Sequence, residues 1–150
     1  LLTVKEADVR PAVSLSHRTI TLTVRPSSLR AKRDEVMHEW HKALLHAAVP
    51  PLIAKWERRL GVTVHAYFVR RMKTKWGACN QRAGNIRPST ELVKKPKDLL
   101  EYVVVHEMAH LIEPTHGAKF LALLDKHYPA WREARAELNE LPIGSTSRHW

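Results

Sequence analysis

The apolar positions change period several times along the chain, and each change marks an element. From Thr19 to Val24 the run TITLTV alternates, with Ile20, Leu22 and Val24 on one face, the pattern of a half-buried strand. Residues 12 to 16 supply its hairpin partner, and Pro26-Ser27-Ser28 ends the strand. From residue 30 to about 60 the spacing becomes helical, with Val36, Trp40, Leu44 and Leu45 along one face. Pro50 and Pro51 lack amide donors, so this stretch is expected either to kink or to divide into helices near 31–48 and 51–60, with Gly61 closing the second.

Val62 to Val69 returns to β-type composition, and the WGAC run at 76–79 and the residues around Ile86 add short strands to the same sheet, with Gly84-Asn85 as a turn. Pro96 and Asp98 mark a helix start, and Leu99 to Ile112 form one helix. Pro114 disfavours the α conformation at Glu113, so the chain turns there. Residues 116–126 are helical again, with Phe120, Leu123 and Leu124 facing the core. Pro129 opens a last helix on which Trp131, Ala134, Leu138 and Leu141 share a face. No repeat or linker divides the chain, so a single domain over 1–150 is expected, with a β-hairpin region at about 1–28 and a polar tail after about 142.

Such a domain buries a core without covalent staples. Cys79 is the one cysteine, which excludes an internal disulfide and suits a reducing compartment. The opening Leu1-Leu2-Thr3-Val4-Lys5-Glu6 has no signal-peptide pattern, and no apolar run approaches the roughly 18 residues of a membrane span, so a soluble cytoplasmic protein without a membrane partner is expected. The formal charge of +10 comes from 25 Lys and Arg against 15 Asp and Glu. Its basic residues fall into separate pieces, such as Arg70-Arg71-Met72-Lys73-Thr74-Lys75 and Lys94-Lys95-Pro96-Lys97, which reads first as solvated faces and only weakly as a nucleic-acid footprint.

The chemistry concentrates in HEMAHLIEPTH, residues 106–116. His106 and His110 are four residues apart and project from one helix face, where both can bind the same ion. Glu107 follows directly, placed to take a proton from water beside that ion without binding the metal itself. His116, delivered by the turn at Pro114, completes a three-histidine set with a fourth position left open, the mark of a catalytic rather than a structural zinc site. The apolar run Tyr102-Val103-Val104-Val105 buries the helix and sets the site at the floor of a cleft. Tyr102, one turn before His106, reads first as a core tyrosine. The other seven histidines lack a partnering pattern; His38 and His41 flank Glu39 but make a poor second site.

Taken together, RMKTKWGAC at 71–79, LEYVVVHEMAH at 100–110, and His116 with Phe120 resemble the YgjP-like family of metal-dependent hydrolases, small zincins similar to the SprT and WLM metalloproteases. The resemblance runs from about Ala31 to Leu141. It implies a zincin-like α+β fold, with a small β-sheet packed over an active-site helix and further helices around it. It also implies zinc held by His106, His110 and His116, with Glu107 as general base. Glu113 stands where the long metzincin motif has glycine, which separates the chain from that group. At Ile86-Arg87-Pro88-Ser89 similar proteins more often continue with Leu-Asn, and proline cannot donate to a strand ladder, so this segment is expected at an edge or at the end of a strand.

These readings make the protein a zinc-dependent peptidase acting on a peptide or protein substrate. In a zincin, Trp76 to Cys79 can line the cleft and take an extended peptide as an added strand. The competing reading places Trp76 in the core and Cys79 as a small buried residue, and a further one makes a Cys79 thiolate an inhibitory ligand. Two alternatives of other classes stand beside the peptidase: a metal-dependent UTP pyrophosphatase, against which the chain shows no Gly-rich phosphate loop, and a protease module associated with nucleic acid, for which no recognised DNA-binding motif is present.

Overall fold

The computed structural model describes residues 2–6, 12–16, 19–24, 30–72 and 74–140. These fall into two compact units, Leu1–Leu44 and Leu45–Trp150. In the first, β1 (Leu2–Glu6), β2 (Ala12–Ser16) and β3 (Thr19–Val24) form a sheet of order β1-β3-β2. The expected hairpin is present, with Val13 opposite Leu22 and Leu15 opposite Ile20 in antiparallel register. The parallel partner β1, in which Val4 pairs with Leu22, was not foreseen.

Helix α1 runs unbroken from Arg30 to Leu60 and carries Pro50 and Pro51 inside it, so the division into two helices does not occur. The amides missing at Pro50 and Pro51 would have bonded the carbonyls of His46 and Ala47, and both of those residues are exposed, so water can replace the lost bonds. Gly61 stops the helix with φ of 71° and donates its amide to the Glu57 carbonyl at 2.9 Å. The buried stripe is Leu45, Val49, Ile53 and Trp56, whereas Leu44 is exposed.

The second sheet has order β4-β6-β5, built from β4 (Ala66–Tyr67), β5 (Gly77–Asn80) and β6 (Asn85–Pro88). Gly84 at φ 72° makes the turn into β6. Pro88 ends β6, as one expectation held, but β6 is the central strand rather than an edge. Proline is tolerated there because it is the last residue of the ladder. The chain then enters a 3₁₀ helix, Thr90–Lys94, capped by the Ser89 hydroxyl, which accepts from the Glu91 amide at 3.2 Å.

Strands β5 and β6 lie against α2 (Lys97–Ala109), the helix at the centre of the core, whose Val103, Val104, Val105, Met108 and Ala109 are fully buried. Pro96 caps α2 and Asp98 lies in its first turn, where a negative charge suits the helix dipole. The helix ends at Ala109 rather than Ile112. Beyond it the amides of Leu111 and Ile112 donate three residues back, to Met108 and Ala109, which tightens the chain before Pro114. Helices α3 (Ala118–His127) and α4 (Trp131–Glu140) follow and pack on α2. Phe120 and Leu124 of α3 and Trp131, Ala134 and Leu138 of α4 are buried; Leu123 is only partly so. Leu141 and the polar tail expected after about 142 lie outside the described residues. Among the described residues, no helix is long and apolar enough to cross a membrane.

Candidate metal centre

His106 stands on the last turn of α2 and His110 is the C-cap residue that follows it, and the tightened bend through Pro114 returns His116 to them. The three imidazoles offer ligand atoms that all lie within 4.8 Å of one another, the one such group among the described residues. Their Nε2 atoms converge: that of His116 is 3.1 Å from that of His106 and 3.0 Å from that of His110. Two nitrogens bound to one zinc in tetrahedral geometry stand roughly 3.3 Å apart, so the set fits such an ion with little adjustment.

The opposite ring atoms have partners that fix how the rings face. His110 Nδ1 is 3.0 Å from the Glu113 carbonyl oxygen. A carbonyl only accepts, so Nδ1 carries the proton and donates, and Nε2 is left with its lone pair. His106 Nδ1 is 3.2 Å from the Tyr102 hydroxyl, one helical turn earlier. Tyr102 is 1% exposed and belongs to the core, and it also touches the site, as its place one turn before His106 allows. Burial, outweighing a nearby Arg135 charge, raises the pKa of its hydroxyl, which therefore stays protonated. Phe120 stacks on His110 with ring centroids 4.4 Å apart and planes 18° apart.

Glu107 is 3% exposed. Burial pushes its carboxyl up to about 8, against a partial opposing pull from the Lys75 charge. The strand β5 passes directly over it. A Cβ on Gly77 would stand 3.3 Å from Glu107 Oε2 and 2.9 Å from Val103 Cγ1, so only glycine lets the strand approach this closely. A cleft of about 360 Å³ opens over the cluster, lined on the sheet side by Lys75, Gly77, Ala78, Cys79 and Gln81 and on the other by Glu107, Pro114 and the three histidines.

The WGAC run therefore divides. Trp76 is buried in the core, while Gly77, Ala78 and Cys79 form cleft wall. Burial, with a smaller contribution from the Glu107 charge, pushes the Cys79 thiol up to about 11, and Cys79 does not join the group of converging ligand atoms formed by the three histidines. His38, Glu39 and His41 do not form a metal-binding group. Reading the sequence by motif placed Gly77 along the cleft but missed its close approach to Glu107, and missed Lys75 and the Glu113 carbonyl. A glycine inside a short β segment is itself a sign of close backbone approach, and was the available clue to Gly77.

The model of the family described as YgjP-like, metallopeptidase domain, matches residues 1–141. No curated protein matches the chain. Among solved structures, the metallopeptidase zymogen of Pyrococcus abyssi abylysin is similar, with a TM-score of 0.55 at 21% identity over 61% of this chain and 92% of that one. The metallopeptidase zymogen of Methanocaldococcus jannaschii jannalysin gives a TM-score of 0.53 at 19% identity over 60% and 92%. At these identities the likeness speaks to the α+β fold, which is the class expected from the sequence.

Proposed function

Because this chain belongs to the YgjP-like metallopeptidase domain family, we propose that it hydrolyses peptide bonds, with His106, His110 and His116 holding zinc and Glu107 acting as general base. The carrying observation is the convergence of three Nε2 atoms beside a buried carboxylate at the floor of an open cleft. A zinc ion held there supplies Lewis acidity toward a carbonyl oxygen and acidifies water.

The remaining work belongs to the chain itself. Burial makes Glu107 a stronger base than an ordinary carboxylate, and the charge of a bound zinc ion would favour its ionised form, so it can take a proton from water and pass it on to a leaving amine. Lys75 stabilises its anionic form. Among the described strands β5 pairs only with β6, so its other side leaves backbone groups free, and Gly77 to Cys79 along the cleft offer an extended peptide a strand to join. Among the described residues the cleft lining includes one lysine or arginine, Lys75, which suits a peptide better than a triphosphate.

Zinc content and proteolysis of the parent and of Glu107→Gln test this reading. One zinc in each protein, with activity lower by about 10² to 10⁴ in the variant, is expected. Full activity in the variant, or no bound zinc in the parent, would overturn it.

A further inference from the structure

A second cavity, of about 230 Å³, adjoins the histidine cluster and is lined from α2, α3, α4 and the bend that carries His116. His106 and His116 are walls common to both. Apart from these and Tyr102, its lining is apolar: Phe120, Leu121, Leu124 and Trp131, with Arg135 as the exception. Arg135 is one turn beyond Trp131 on α4, so both side chains point the same way, and it is exposed where Trp131 is buried. Its neighbour Arg132 pairs with Asp125 at 2.9 Å. Among the described residues, no carboxylate pairs with Arg135.

We propose that this cavity receives a bulky apolar side chain of the substrate, next to the bond that is cut, and that Arg135 pairs with a carboxylate on the same substrate. The proposal rests on the peptidase reading for the substrate being a peptide. Three features argue for it. The space is adequate, since a cavity of about 150 Å³ holds a benzene ring. The walls shared with the metal cluster put any occupant within about one residue of the reacting bond. The guanidinium at an apolar lip is a fork matched to carboxylate geometry, and among the described residues it has no carboxylate partner to displace. That carboxylate can be the α-carboxylate of a chain end or the side chain of an adjacent acidic residue.

The test is a binding titration on the metal-free protein, followed by the indole N–H resonance of Trp131, whose Nε1 donates to Asp125 at 2.8 Å and is therefore held in one environment. Two probe pairs are compared: N-acetyl-phenylalanine against its amide, and N-acetyl-phenylalanyl-glutamic acid amide against the glutamine equivalent. The acidic member of at least one pair is expected to shift the Trp131 signal and bind about fivefold tighter than its neutral counterpart. A preference in the first pair identifies a chain end, and one in the second an acidic side chain. Arg135→Gln is expected to abolish the preference and Arg135→Lys to keep most of it. No preference in either pair, no response at Trp131, or a preference that survives Arg135→Gln would overturn the proposal. Because the titration needs neither metal nor turnover, it is decided separately from peptide hydrolysis by the zinc-loaded protein. Absent hydrolysis would count against the peptidase reading alone.

Discussion

Gly77 and Glu107 face each other across the contact between β5 and α2 with no room for a methyl group between them: a Cβ on Gly77 would lie 3.3 Å from the carboxylate and 2.9 Å from Val103. The strand that borders the cleft and the helix that carries the base are thereby held in one arrangement. Gly77→Ala is expected to cost about 1–3 kcal/mol of stability by overpacking, since Val103 is fully buried and cannot yield freely. Peptide hydrolysis is expected to fall as well, because the carboxylate must move. Urea denaturation and an activity assay check both effects; an unchanged midpoint would contradict the tight contact.

Tyr102 is assigned a positioning role through His106. Removing its hydroxyl with Tyr102→Phe keeps the ring in the core but leaves His106 Nδ1 without its 3.2 Å partner. Zinc affinity is expected to fall about tenfold, as is usual when a second partner of a ligating imidazole is lost. Competition with a chelator of known affinity measures it. Equal affinities would show that the ring is held by packing against Phe120 and its neighbours alone.

Helix α1 is tied to α2 by Glu101, whose Oε2 accepts from Lys55 Nζ at 2.7 Å and from the indole Nε1 of Trp56 at 2.9 Å. Trp56 is 1% exposed, so Glu101→Ala strands a buried donor and is expected to destabilise the protein by about 1–3 kcal/mol. A denaturant midpoint that does not move would deny the tie.

The same group sets a pH dependence. Burial acts to raise the Glu101 pKa, but the hydrogen bonds from Lys55 and Trp56 and the charges of Lys55 and Arg59 outweigh it, leaving the carboxyl below its ordinary value. A depressed folded value means that the unfolded chain takes up its proton first as pH falls. The stabilisation is therefore complete above the unfolded value of about 4.3 and is lost as pH falls through the lower folded one. Stability measured at about pH 6 and about pH 3 should show the gap between the parent and Glu101→Gln narrowing at the acid end. A constant gap would contradict the assignment.

Local chemistry made part of this fold legible. The i, i+4 histidines, the apolar run before them and the proline after them reach only a few residues along the chain, and α2, the bend and the return of His116 follow that reading. Phe120 was recognised as a core residue for the same reason, and its stacking on His110 came with it. Where local rules failed, tertiary context or solvent decided the outcome. Pro50 and Pro51 read as a kink or a division, yet α1 continues as one helix, and the residues whose carbonyls they orphan, His46 and Ala47, are exposed, so water can take the lost bonds. Pro88 suggested an edge or a strand end, and it stands at the end of a strand that is central rather than an edge. Gly77 and Arg135 acquire their meaning only from elements distant in sequence: the first from Glu107 and Val103 beneath β5, the second from the cavity that α2 and α3 build beside it.

The account depends most on one ion held by three imidazoles. Crystals grown with zinc and measured on either side of the zinc absorption edge would locate it by anomalous scattering. The prediction is a single strong peak at roughly 2.0–2.1 Å from Nε2 of His106, His110 and His116, with the Glu107 carboxylate nearby but not bound. No peak among these three nitrogens, or a peak held by other residues, would contradict it.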